Sequence, residues 1–156
     1  MMNIEHSRKD TMKQLAMVLI VQFALGQQAQ EGMPYSQIYG LENNYHTITL
    51  PQIDRDMLLE EDIYREQGTP FRYGYKHEVK YSPENSGTWE ETTDGGILWR
   101  VSFTSEDAYA ISFEYEEFYI PEGGKLYVYT PAYEMIHGAY THLNNTVHQH
   151  FSTPLI

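Results

Sequence analysis

Four histidines crowd the C-terminal end of the chain, at His137, His142, His148 and His150. On a β-strand His148 and His150 would share one face, and two imidazoles so placed are a feasible pair of metal ligands. No spacing fixes a third ligand, so exposed neutral histidines are the alternative reading. The pair His77-Glu78 begins like the metal-binding helix of a zinc peptidase, but Tyr81 stands where the second histidine would have to lie. Two carboxylates across a cleft suffice for glycoside hydrolysis. The candidates are Glu114, Glu116 and Glu117, beside a break in strand parity that reads as a β-bulge, and a solvated strand face is the competing account. The acids Asp54, Asp56, Glu60, Glu61 and Asp62 lack the glycine-spaced loop of a calcium site. No serine-nucleophile elbow, phosphate-binding loop or dinucleotide fingerprint occurs, so no catalytic residue and no cofactor are assigned. The residues that remain for ligand or partner binding are Trp89, through its ring, and Arg100, which the alternation places on a polar strand face. There Arg100 is expected to form a surface ion pair with a neighbouring strand's acid, such as Glu114 or Glu116.

The elements that would position these residues are strands. From Gly87 to Phe151 short alternating segments are punctuated by Gly and Pro. Residues Trp89–Thr93 lead into Asp94-Gly95, a hairpin signal of the type I′ kind, and Ile97, Trp99, Val101 and Phe103 form one apolar face of the returning strand. Residues 71–75 and 77–81 also alternate with a period near two, and Ser82–Gly87 reads as a turn. Further strands are expected over 110–115, 125–130, 138–141 and 147–151, with turns at Pro121–Gly124 and Asn144-Asn145. Upstream, Tyr45–Leu50 reads as a first or edge strand, and residues 54–63 as a short acidic helix or turn with one apolar face. The fold class expected is all-β: an antiparallel two-sheet sandwich, with jelly-roll order possible.

The N-terminus carries Arg8, Lys9 and Lys13 ahead of the apolar run Leu15–Leu25, followed by Ala24-Leu25-Gly26. This predicts a Sec-type signal peptide over 1–26, with Met12 as a possible true start, and a secreted, periplasmic or cell-surface protein. A polar arm over 27–44 and a β-sandwich domain over 45–156 complete the expected organisation. The chain of 156 residues has a formal charge of −12, and losing residues 1–26 leaves −13. Such a charge disfavours nucleic acid and anionic membrane surfaces and suits a cationic partner. Cysteine is absent, so neither disulfide nor thiolate chemistry is available. Asn144-Asn145-Thr146 is a glycosylation sequon, relevant only in a eukaryotic secretory route.

A set of short blocks adds a family resemblance. Trp89, the run Asp94-Gly-Gly-Ile-Leu-Trp-Arg100, Ser105, Ala108, Phe118, Pro121-Glu-Gly123, Leu126-Tyr-Val-Tyr129, Gly138-Ala-Tyr-Thr141 and Asn144-Asn145 follow one another in order. Together with Pro51-Gln-Ile-Asp54, Glu60-Glu-Asp62 and Pro70-Phe-Arg-Tyr-Gly74, this order resembles the N-terminal region of secreted bacterial lysyl-endopeptidase-like proteases of the trypsin class. The resemblance runs from about Pro34 to the C-terminus. It implies a pro- or accessory segment lying between signal peptide and catalytic domain, with every triad residue downstream and a trypsin-class catalytic domain as partner in cis. No His, Asp or Ser of this chain maps onto the triad, so the chain reads as truncated before the protease domain or as a module with a role of its own. The competing class is a free-standing secreted β-sandwich that binds a glycan or surface ligand through Trp89, Trp99 and exposed tyrosines.

Overall fold

The computed structural model describes residues 29–42 and 44–156. The signal peptide expected over 1–26 lies outside the described residues. The chain is sheet-rich with little helix and divides into two compact units, residues 42–109 and residues up to 41 together with 110–156.

The 42–109 unit is built around an eight-residue strand. Strand β1 (His46–Thr49) is followed by helix α2 (Arg55–Ile63), β2 (Thr88–Glu91) and β3 (Ile97–Thr104). Helix α2 starts because the Asp54 carboxylate accepts the Met57 N–H at 3.0 Å, satisfying one of the amides that a first turn leaves without a partner. None of its residues is fully buried: Leu58 is half-buried, while Met57, Leu59 and Ile63 of the expected apolar face stand exposed.

The β2–β3 hairpin forms where the sequence predicts it, with Trp89 opposite Trp99 and Thr88 opposite Arg100. Its turn differs from the expected type I′. Gly95 alone takes a positive φ, 83°, while Asp94 does not, and the loop closes through Thr92 N–H to Gly96 O at 2.9 Å and Gly95 N–H to Thr92 O at 3.0 Å. One left-handed glycine in a three-residue loop gives the bulged hairpin in place of the two-residue one.

Strand β3 pairs with β2 along 97–100 and, in parallel, with β1 along 101–104. The parallel pairing departs from the antiparallel neighbours expected throughout. Both partners lie on the same edge of β3. Thr92 N–H donates to Gly96 O and Leu50 N–H to Thr104 O, and carbonyls of even-numbered residues along one strand point to one side. The His46 N–H also donates to Thr88 Oγ1 at 3.0 Å, and the Gly87 N–H to His46 Nδ1 at 3.2 Å. Strands on opposite sides of β3 would stand about 9.5 Å apart, out of reach of such bonds.

Residues 64–81 contain no strand, which corrects the expectation for 71–75 and 77–81. Their alternation is real, but no neighbouring segment pairs with them, and a strand exists only by pairing. Phe71 and Tyr73 are 83% and 91% exposed.

The other unit is held by rings. Helix α1 (Tyr35–Ile38), within the stretch read as an arm, is one turn flanked by buried Pro34 and holding buried Ser36. Ahead of it Gln30 exchanges two backbone hydrogen bonds with Ala139, 2.8 and 2.7 Å, and the Ser36 hydroxyl bonds that of Tyr129 at 2.9 Å. Strands β4 (Glu114–Tyr115) and β7 (Phe151–Ser152) pair antiparallel, as do β5 (Leu126–Tyr129) and β6 (Ile136–Tyr140). Phe118, Ile120, Tyr140 and Phe151 form the core, with Tyr115 and Leu126 against it. Phe118 and Phe151 stack at 4.3 Å, and Tyr140 meets Phe151 edge-on at 4.8 Å. Asn145 clamps Ile120 from both sides, accepting its N–H at 2.9 Å and donating to its carbonyl at 2.8 Å.

Candidate functional site

The two residues singled out for binding, Trp89 and Arg100, sit on opposite faces of one hairpin. Cross-strand register puts Trp89 beside Trp99, and Arg100 beside Thr88 with Glu90 on the diagonal.

On the tryptophan face both indoles are tied to the turn that precedes β2. That turn folds because Ser82 and Asn85 bond each other: Ser82 N–H donates to Asn85 Oδ1 at 2.9 Å, and Asn85 N–H to Ser82 O at 3.1 Å. Trp89 Nε1–H then donates to Pro83 O at 2.9 Å, and Trp99 Nε1–H to Ser86 O at 2.7 Å. Gly87, at φ 82°, lies against the Trp99 indole, where any Cβ would collide with its nitrogen. The result is a fixed Trp89 ring, 55% exposed, with its only donor already used. A flat apolar surface that needs no further polar partner can stack on a sugar face or an apolar side chain.

On the other face Arg100 is 6% exposed. One of its terminal nitrogens donates to Glu90 Oε1 at 2.6 Å and the other to Glu42 O at 3.0 Å, while the guanidinium carbon stands 5.0 Å from the Tyr45 ring centre. Its Nε has no partner among the described residues. The expected surface ion pair with Glu114 or Glu116 is therefore corrected: the pair is with Glu90, and the arginine is inside. The reason is register, since Glu90 lies diagonally across the hairpin, within reach of a long side chain.

The other candidates separate. His148 and His150 precede β7 and do not lie on it, and Gln149 between them has a φ of 55°, so they do not alternate on a strand. Among the described residues no group of three metal-capable side chains comes together. His77 lies in irregular chain, edge-on to Tyr75 at 5.0 Å, which leaves no helix on which a zinc motif could form. Glu116 and Glu117 are exposed where β4 ends, between the Tyr115–Phe151 pair and the Phe118 N–H bond to Gln149 O at 2.7 Å. The sequon's Asn144 is 1% exposed, with its side-chain oxygen accepting the Thr141 N–H at 2.8 Å.

One grouping was not legible in the sequence. Asp107, at φ 59°, joins Gln52, Asp54, Arg55, Asp56 and Leu59 around an open polar depression. Asp54 is already committed to capping α2. The signal that could have pointed to Asp107 is the Glu106-Asp107 pair just past β3, since aspartate tolerates the left-handed conformation better than most residues.

No protein-family model matches the chain, and no solved structure matches it.

Proposed function

We propose that this chain is a non-catalytic pro- or accessory module of a secreted trypsin-class serine protease, binding the catalytic domain to assist its folding or to hold it inactive. The observation that carries this reading is the exposed apolar surface of the 42–109 unit. Phe71, Tyr73 and Tyr109 are 83%, 91% and 94% exposed, and Trp89 adds a fixed ring. Rings exposed in this way are available to a partner that covers them. The ordered sequence blocks running from Pro51 to Asn145, which resemble the N-terminal region of such proteases, are the support for that choice of partner. A charge of −13 after signal removal favours encounter with a cationic surface and makes the association salt-dependent. The two-sheet sandwich expected from strand spacing is part of the same proposal, supported by the hairpins β2–β3 and β5–β6.

A module of this kind acts by mass action: binding the native catalytic domain and not its unfolded chain stabilises the former. The test adds the purified protein to a secreted bacterial lysyl endopeptidase, during refolding and during peptide hydrolysis, at low and high salt. The expected result is a higher refolding yield or slower hydrolysis, weaker in high salt. No effect on either quantity at any salt concentration would overturn the proposal.

A second reading is favoured by Trp89, whose immobilised and half-exposed ring suits stacking on a glycan. Glycan-array binding that disappears in Trp89→Ala, with the fold intact by circular dichroism, would establish it in place of the first.

A further inference from the structure

We infer that the outer edge of β3 is a docking strip for an extended, lysine- or arginine-bearing segment of a partner protein, which adds to the sheet as a new strand. The inference is independent of whether that partner is a protease.

The geometry follows from both neighbours of β3 sharing one side. The even-numbered residues turn their backbone groups toward β1 and β2, so those of Ile97, Trp99 and Val101 point the other way. Among the described residues no strand pairs with that side, and no backbone hydrogen bond reaches these three residues from it. Unpaired groups along a strand edge are a template for another chain, and folded proteins blunt such edges with proline, bulges or charge. This edge has none of these. Strand β3 contains no proline, its register with β1 and β2 is regular, and its single charge, Arg100, is spent on Glu90.

Charge selects the occupant. The exposed acids Glu106 and Asp107 follow β3, on a chain whose net charge is −12. A second copy would bring the same acids to the same edge, whereas a basic segment is drawn to the acidic end of the strip. Backbone hydrogen bonds would supply affinity, and alternate side chains would lie beside Trp99 and Val101.

The experiment uses the full chain and a short peptide of alternating lysine and valine. At low salt the peptide should bind saturably and slow amide exchange at Trp99 and Val101 by about tenfold or more, leaving Leu98 and Arg100, already in the ladder, unchanged. Binding should weaken by about tenfold in high salt and on Glu106→Lys/Asp107→Lys, and a glutamate-valine peptide should not bind. The decisive control leaves the protein untouched: a lysine-valine peptide N-methylated at alternate residues keeps its charge and cannot pair, so it should fail to bind. Equal binding of the methylated peptide, or binding without protection at Trp99 and Val101, would overturn the inference. So would protection of those amides that rises with protein concentration alone, which would identify a second copy as the occupant.

Discussion

The two units of this chain draw on the same stock of aromatic residues and use it in opposite ways. In the unit containing 110–156, Phe118, Ile120, Ala139, Tyr140 and Phe151 are buried, and Phe118, Tyr140 and Phe151 pack ring against ring. In the 42–109 unit Ile48 is the one apolar residue buried among those described, and the buried company is Ser86 and Arg100, while Phe71, Tyr73, Trp89 and Tyr109 face water. What separates the two is pairing. Rings on or beside β4, β6 and β7 converge because those strands and the Asn145 clamp on Ile120 bring distant chain together. Rings in 64–81 have the alternation and no partner strand. One unit closes around a cluster of rings, although Tyr119 and Val147 stay exposed, and the other leaves most of its rings exposed.

The largest expected difference between them lies at Phe151 and Phe71. Phe151→Ala should cost about 3–5 kcal/mol, because it removes a ring stacked on Phe118 and met edge-on by Tyr140, and leaves a cavity. Phe71→Ala should change stability by less than about 0.5 kcal/mol. Chemical denaturation of the two variants checks the contrast, and a comparable loss at both positions would break it.

Arg100 sharpens the account of the open unit, since there an ion pair occupies the place of a core. Arg100→Ala leaves Glu90, Glu42 O and the Tyr45 ring without the guanidinium. Breaking such a pair should cost about 3 kcal/mol, the lower end for buried pairs because Glu90 keeps contact with water. Arg100→Met should cost less, as a similar volume without charge; the ranking of the two variants in urea midpoints is the measurement. A midpoint for Arg100→Ala equal to that of wild type would show the interior of this unit to be something other than Arg100.

The smallest effect belongs to the closed unit and is set by pH. Burial, with a lesser contribution from Tyr140, pushes the Tyr115 phenol up to about 12. An unfolded tyrosine ionises near 10, so the folded form holds the proton more tightly. Its stabilisation is complete below about pH 10 and is lost as the pH rises to about 12, a decline of roughly 2–3 kcal/mol from this group. Thermal midpoints measured across that window should fall in wild type and fall less in Tyr115→Phe.

The elements legible in the sequence were those whose signals are local. The short helix within 54–63, the Ser82–Gly87 turn, the strand over 126–129 and the hairpin at Asp94-Gly95 all depend on residues a few positions apart, and all are present. What depended on distant chain was not readable. Nothing near His46 announces that β1 runs parallel to residues 101–104, and nothing near Phe71 announces that its period-two pattern finds no mate. The site divides the same way. Trp89 was identifiable as a ring on a hairpin, whereas the carbonyl that holds its indole and the acid that pairs Arg100 followed only from turn geometry and register. The open edge of β3 was invisible for the same reason, since it exists only because two strands chose the same side.

The burial of Asn144 has a practical consequence for how the protein can be made. Glycan attachment acts on the nascent chain, before this amide has settled against Thr141. An oligosaccharide installed there would have to fit where the folded unit leaves 1% of the residue in contact with solvent. Production in a glycosylating eukaryotic secretory host would therefore yield a population modified at Asn144 and barred from its native packing, which expression in bacteria, or Thr146→Ala in such a host, would avoid.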